Sequence, residues 1–519
     1  MTPEGFVDRP AFPKAFTLAW LALAAGLMSA GVCLAEDPPA VENAVRAQAP
    51  SGPIPVPRQF VTRHRGTFNG VAVAYTATAV DTLIEDDSRT PIGYVFSFAY
   101  TRDNIPDPAT RPVVFIFNGG PGSSSFWLHA GALGPKRAIV PDPGQAGAAP
   151  FQFVDNTASL LDVADLVFID PVGTGFSYML EKVRPEKFYG TEADAVVTTE
   201  FIRRWLSEHN RWNSPKLVLG ESYGATRAAL TTKLLMGGVG SKRFPAISLN
   251  GIVLFGASLE GAHGDADTRF AIDLPCLAAA AWYHEKIDRA GRSVEALTAE
   301  ARRFASQEYL PALFAGSALD AGERTRIAAK LQQYTGLPQS LILRRNLRVD
   351  LPTFATELLA DRDATLSIYD ARYTFTTTAA KIDAVGDDPS MTSAGPAILA
   401  GFMSYIRTDL GVRIDSRYEP ISWIVNHQWK PLSEPYDMAL DLARAMRQNP
   451  QLRLFIGAGN YDLITSLDSV QYALAHGEVP MDRVQIGRYD AGHMPYIGEQ
   501  NVRRLSADLR GFIATVTRR

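Results

Sequence analysis

One Gly-x-Ser-x-Gly string occurs in the chain, Gly220-Glu221-Ser222-Tyr223-Gly224. A short apolar run, Leu217-Val218-Leu219, precedes it, and residues 225–236 follow with helical spacing and strong helix formers. Strand, sharp turn and helix in that order make a nucleophile elbow, whose turn is so tight that flanking side chains would strike the backbone were they not glycines. The setting points to Ser222 as a nucleophile; a serine that merely caps the helix is the bland alternative. A serine hydroxyl is weakly nucleophilic near neutral pH, so it needs a base, and the base needs a carboxylate to orient it. After an elbow serine the acid precedes the histidine in the chain. Beyond position 400 the histidines are His427, His476 and His493. His476 ends a helical stretch before Gly477, where a cation suits the helix dipole, and His427 sits in a tryptophan-rich segment that reads as packing. His493 follows the strand-like run RVQIGRY (483–489) in a tight turn, Asp490 to Pro495, and is the predicted base.

The acid should close the strand before that one. Residues 452–462, LRLFIGAGNYD, run as a buried strand into a Gly/Asn loop ending on Asp462, with room for a helix and a strand before His493. Asp468 falls inside that helix and Asp490 stands almost beside the histidine. Asp462 is therefore the better choice, its bland reading being a loop aspartate that caps the next helix. The developing oxyanion needs two backbone N–H groups, one from the residue after the nucleophile and one from a Gly-rich loop after an earlier strand. Tyr223 supplies the first by position. Residues 113–125, VVFIFNGGPGSSS, open an apolar strand into Asn118-Gly119-Gly120-Pro121-Gly122, and Gly120 is the predicted second donor.

Taken in order, Asn-Gly-Gly-Pro-Gly-x-Ser-Ser (118–125), DPVGTGFSY (170–178), GESYG, the Asp462 loop and AGHM (491–494) resemble the serine carboxypeptidases, the carboxypeptidase Y-like hydrolases. The resemblance runs in register from about residue 70 to the C-terminus and is weak between 260 and 430. It implies an α/β-hydrolase fold with Ser222, Asp462 and His493 as the triad, and Gly120 and Tyr223 at the oxyanion hole. It also implies that Asn118 and Glu221 hold the substrate's terminal carboxylate and that Met494 lines an apolar pocket for the last side chain. Gly119 in the loop and Thr465 at the pocket join the expected substrate-binding residues. Three positions depart from the family pattern. Ser123 and Thr465 stand where cysteines are usual, and Ala132 of Ala132-Leu133-Gly134-Pro135 replaces the glutamate that pairs with the elbow glutamate. Lys136 and Arg137, just beyond, would offset the lone Glu221 charge if that loop turned inward; otherwise they are solvated cations.

Hydrophobic residues at 46% and charged residues at 20% are ordinary globular values, and a net charge of −4 argues against a nucleic-acid partner. No H-E-x-x-H and no CxxC occurs, so no metal or other cofactor is expected. The two cysteines are Cys33 and Cys276. Basic Arg9 and Lys14, the apolar run 16–35 and then Glu36-Asp37 have the pattern of a signal peptide cleaved after Ala35. Removal leaves Cys276 alone and no intrachain disulfide, which suits a bacterial relative exported to the periplasm or medium. An uncleaved leader would be long enough to anchor the chain in a membrane. The proline-rich stretch 36–60 reads as a tether.

The strand candidates are 71–80, 94–101, 113–117, 166–170, 217–219, 247–257, 452–457 and 483–489. The first two alternate, as antiparallel edge strands do, and the later ones are continuous apolar runs separated by helices, as buried parallel strands are. The segment between Ser222 and Asp462 is far longer than one helix and one strand. Its helical stretches at 277–287, 294–310 and 321–334 point to an insertion over 260–430, a cap or lid above the serine. The expected architecture is an α/β-hydrolase core over 61–259 and 431–519 with a mainly parallel sheet and a large helical cap. The expected activity is hydrolysis of a peptide substrate at its C-terminal residue. An esterase or acyltransferase on the same triad, or a secreted binding protein without catalysis, are the alternatives.

Overall fold

The computed structural model describes residues 54–144, 147–237, 246–259, 266–376, 386–432 and 436–518. The leader and residues 36–53 of the tether lie outside these residues. Ten strands form one sheet: β1 (Gln59–Phe68), β2 (Val71–Glu85), β3 (Pro91–Arg102), β4 (Val113–Phe117), β5 (Asp165–Asp170), β6 (Tyr178–Met179), β7 (Lys216–Glu221), β8 (Gly251–Phe255), β9 (Arg453–Gly459) and β10 (Val484–Tyr489). The order across the sheet is β1-β2-β3-β5-β4-β7-β8-β9-β10, with β6 pairing β3. From β5 to β10 the neighbours along that path are parallel, whereas β1, β2 and β3 are antiparallel additions.

The continuous apolar strands have their cause in two cores. Val114 and Ile116 of β4 and Leu217 and Leu219 of β7 face one core, while Val113, Phe115, Phe117 and Val218 face the other. Both faces being covered, residues 113–117 of β4 and 217–219 of β7 are all apolar. Helices α1 (Thr191–Glu208) and α2 (Tyr223–Leu235) pack on the second face, and α3 (Glu499–Val516) contributes Leu505, Leu509 and Phe512 to the first.

β1 was not among the strands expected from sequence. Its burial alternates between half-buried and exposed, because it lies at the sheet edge with water on one side. It carries too few apolar residues to announce itself. Arg58, just before it, donates from Nε and Nη2 to Asp81 at 2.6 and 2.8 Å and from Nη2 to the Phe176 carbonyl at 2.9 Å. The end of the proline-rich stretch is thus bound to the sheet.

Between β8 and β9 the chain is largely helical and divides into two parts. Helices at Ala266–Tyr283, Val294–Phe304 and Ala321–Thr335 build a separate apolar cluster, which takes in Tyr461 and Leu463 of the loop after β9. A later helix, Pro389–Thr408, instead buries Ala394, Ile398, Phe402 and Tyr405 in the first core. Cys276 is a buried free thiol in the separate cluster. Among the described residues no helix is long and apolar enough to cross a membrane.

Candidate active site

β7 ends at Glu221 and α2 begins at Tyr223, so the whole reversal falls on Ser222. Its φ of +60° and ψ of −127° are strained for a residue with a side chain, at a cost of about 1–3 kcal/mol. The Ser222 N–H donates to the Phe255 carbonyl at 2.9 Å, which ties the elbow to the end of β8. Ser222 makes no side-chain capping bond to α2, so its hydroxyl does not serve the helix. A Cβ on Gly220 would stand 2.0 Å from the Gly224 carbonyl oxygen, and one on Gly224 would stand 3.0 Å from the carbonyl oxygens of Phe117 and Asn118, so each end of the motif is glycine for its own reason. The loop after β4 touches the elbow backbone to backbone: a Cβ on Gly119 would stand 2.5 Å from the Tyr223 nitrogen and 2.7 Å from the Glu221 oxygen. Gly120 follows at φ +104°. The two predicted oxyanion donors therefore belong to adjoining segments.

Two neighbours hold that loop. Arg227 of α2, 1% exposed, donates from Nη1 to the Asn118 carbonyl at 2.5 Å and from Nε to Asp194 of α1 at 2.7 Å. Asp170, at the end of β5, accepts from the Ser125 N–H and hydroxyl at 2.8 and 2.7 Å and from Tyr418 at 3.1 Å. Burial pushes the Asp170 carboxyl up to about 6 against those donors. The DPVGTGFSY segment thus anchors the Gly-rich loop from beneath.

Asp462 lies in the loop after β9 and His493 in the loop after β10. The Asp462 carboxylate accepts from the N–H groups of Ile464 and Thr465 on Oδ1, both at 2.9 Å, and from His493 Nδ1 on Oδ2 at 2.9 Å. The Thr465 hydroxyl donates to the same Oδ2 at 2.6 Å, and its oxygen is 2.9 Å from His493 Nδ1. These partners assign the proton to Nδ1 and leave Nε2 as the acceptor. Burial disfavours the imidazolium, but the charge and hydrogen bond of Asp462, with Glu221, outweigh it and hold His493 above its ordinary value. The ring bonds of His493 among the described residues run to Asp462 and Thr465, and none runs to Ser222; such bonds are often long before substrate arrives. Ser222 and His493 both border the end of β8: the Ser222 N–H is bound to Phe255, and a Cβ on Gly256 would stand 2.9 Å from His493 Nδ1.

The segment between the two helical parts clamps the histidine turn. The His493 N–H donates to the Tyr369 carbonyl at 2.6 Å, and the Gly492 N–H to Asp370 at 2.9 Å. Arg372 pairs with Asp370 and Asp142 at 2.7 and 2.6 Å and donates to the Asp490 carbonyl at 2.6 Å. None of these partners was foreseen from sequence.

Glu221, 3% exposed, accepts from Asn118 Nδ2 and from the Tyr496 hydroxyl, the latter 3.0 Å from both carboxyl oxygens. Burial pushes its carboxyl up to about 7, opposed by the His493 charge and the two donors. Tyr496 was missed: it sits in a turn shortly after His493 and belongs to no motif. Met494 lines a small cavity of about 10 Å³ with His493, Tyr369 and Ile497. Thr465, expected with the substrate-binding residues, has its hydroxyl committed to Asp462 and His493. Lys136 and Arg137 do not meet Glu221 either. Lys136 pairs with Asp409 at 2.8 Å, and Arg137 pairs with Glu499. His427, expected in packing, is exposed at a helix end near Trp423. Among the described residues no group of three or more His, Cys, Asp or Glu could hold a metal ion.

Comparison with known proteins adds three findings. The family model described as serine carboxypeptidase matches residues 93–484. Serine carboxypeptidase-like 8 of Arabidopsis thaliana is 32% identical over 163 residues, which is 30% of this chain and 35% of that protein. Serine carboxypeptidase-like 45 of the same plant is 26% identical over 234 residues, 44% of each chain. The chain thus spans well under half the length of these curated relatives. Among solved structures, a crystal structure of Kex1Δp, described as a prohormone-processing carboxypeptidase from Saccharomyces cerevisiae, superposes with a TM-score of 0.53 at 16% identity. It covers 85% of this chain and 91% of that one, and the likeness is one of fold.

Proposed function

The chain belongs to the serine carboxypeptidase family, and on that premise we propose that it is a serine-type carboxypeptidase that removes C-terminal residues from peptides through an acyl-enzyme. The observation that carries the reading is a strained elbow serine and a buried histidine that both border the end of β8, the histidine's Nδ1 being bound to a carboxylate at 2.9 Å. His493 Nε2 takes the Ser222 proton, and Asp462 stabilises the imidazolium that results. Ser222 attacks the scissile carbonyl, whose oxygen gathers negative charge against the N–H groups of Gly120 and Tyr223. His493 then gives its proton to the leaving amine, and water hydrolyses the acyl-enzyme by the same steps reversed. Met494 faces the side chain that departs, Asn118 and Glu221 face its carboxylate, and the helices between β8 and β9 act as a cap.

An esterase on the same triad is the second reading, favoured by Ala132, which offers no second carboxyl to recognise a free terminus. We further propose export behind a cleaved leader to the periplasm or medium. Bacterial origin is proposed from the single cysteine that removal of the leader would leave; the relatives described above are plant and yeast proteins. The test is labelling by a fluorophosphonate probe, followed by a peptide-library digest read by mass spectrometry. Labelling lost in Ser222→Ala, with stepwise loss of C-terminal residues, supports the proposal. An unlabelled wild-type protein removes it, and labelling with ester turnover but no peptide trimming favours the esterase. N-terminal sequencing of the exported protein checks the leader.

A further inference from the structure

The Glu221 carboxyl stands next to the nucleophile with both of its protein hydrogen bonds donated to it. Asn118 Nδ2 donates to Oε2, and the Tyr496 hydroxyl lies 3.0 Å from Oε1 and Oε2 alike. The Tyr496 ring is 2% exposed and lies against the segment that carries Ala132, its edge 3.2 Å from where a Cβ on Gly131 would stand. Ala132 itself is 1% exposed and adds only a methyl group. The phenol therefore reaches from the segment carrying Ala132 to the carboxyl and gives it a polar contact besides Asn118.

We infer that Tyr496 is a positioning residue that orients Glu221 and sets the pH above which the enzyme refuses a free C-terminal carboxylate. The substrate half of this inference rests on the carboxypeptidase reading. A protonated Glu221 donates a hydrogen bond to a substrate carboxylate, and an ionised one repels it. Two carboxyls side by side would share one proton and exchange two. Tyr496 exchanges none in this range, because burial and the neighbouring Glu221 hold its hydroxyl well above the ordinary tyrosine value. Glu221 is thus the one proton-exchanging member of the pair.

Besides Tyr496, the groups that act on Glu221 are His493, Asp462 and Asn118. His493 and Asp462 act on it through space with opposite signs, and Asn118 is neutral. Lys136 and Arg137 are engaged by Asp409 and Glu499. With burial pushing the carboxyl up to about 7, the protonated form persists to near neutral pH. Tyr496 opposes that shift, since a donor to the charged form favours it. Removing the hydroxyl must raise the value further and widen the pH range in which a free terminus binds.

The experiment uses the full protein as wild type, Y496F and E221Q. The infrared band of the protonated carboxyl, assigned by its loss in E221Q, is titrated without substrate. The ratio of kcat/KM for one peptide as free acid and as amide is then measured from pH 5 to 9, so that the His493 titration, common to both, cancels. In wild type the band should disappear near pH 7 and the ratio should fall about tenfold per unit above that point. In Y496F both midpoints should move up by about one pH unit, and in E221Q the ratio should be flat. A Y496F midpoint that stays or falls overturns the role of Tyr496. A band that shifts while the ratio stays flat in wild type overturns carboxylate gating. If no fluorophosphonate labels Ser222 and neither peptide is cleaved, the carboxypeptidase reading fails, while the infrared shift still decides whether Tyr496 sets the Glu221 proton.

Discussion

Gly256→Ala should disarm the base without replacing any triad residue. Gly256 follows β8 at φ +45°, with its N–H donated to the Gly457 carbonyl at 3.1 Å. An added Cβ would stand 2.7 Å from the His493 carbonyl oxygen, 2.9 Å from Nδ1 and 3.0 Å from Cε1. Ordinary contacts begin near 3.5 Å, so the histidine or the strand end must move by roughly 0.5–0.8 Å. The ring cannot yield freely, because the His493 N–H is bound to Tyr369 and Nδ1 to Asp462. The left-handed backbone costs about 1–2 kcal/mol with a side chain present, and the overpacking about 1–3 kcal/mol more. A displacement of that size in a catalytic base should lower kcat by about 10²-fold. Gly411→Ala is the control: its φ is +67°, yet nothing lies within 4 Å of the added Cβ. It should show the backbone destabilisation alone and full activity. The assay pairs the fluorophosphonate labelling rate and ester kcat with thermal unfolding of both variants. If Gly256→Ala keeps kcat within about threefold of wild type, or Gly411→Ala loses as much activity, the steric argument is refuted.

Ser222→Ala and His493→Ala should each abolish nearly all turnover, and the double variant should be little worse, because the triad acts as a unit; ester kinetics on the three proteins decide this. Asp462→Asn should lose less than Ser222→Ala, since part of the histidine population keeps its orientation. Thr465→Val removes the hydroxyl that donates to Asp462 at 2.6 Å and should lower kcat by about tenfold. With Asp462 less neutralised, the acid limb of its kcat/KM profile should move to higher pH; an unmoved limb would make Thr465 a packing residue. On a neutral ester, kcat/KM should climb through a value above 6.5, because His493 works as a base only after losing a proton that Asp462 and Glu221 hold on it. On a free-acid peptide the same rise should be cut short near pH 7, where Glu221 loses its proton, giving a bell.

The elbow could be read from the chain because its cause is local. Two glycines four positions apart around a serine, between an apolar run and a helix, are what the backbone of that turn requires, and the 2.0 Å that would separate a Cβ on Gly220 from the Gly224 oxygen is the same requirement seen in space. The parallel strands β4, β5 and β7 to β9 were legible for a related reason. Burial on both faces leaves an uninterrupted apolar run, and such a run needs no knowledge of its neighbours. β1 escaped because its alternation is weak at a half-wet edge. The order acid then histidine narrowed the triad to Asp462 and His493, but their separation in sequence says nothing of hydrogen bonds. What tertiary structure decided is every partnership between side chains on different loops. Thr465 closes on His493, Tyr496 on Glu221, and Arg372 on the turn below the base. Lys136 and Arg137, next in line to Ala132, turn to Asp409 and Glu499 instead of the carboxyl they could have balanced. Periodicity and turn chemistry are properties of a few consecutive residues. Which hydroxyl meets which carboxyl depends on the path of the whole chain, and only the folded protein determines it.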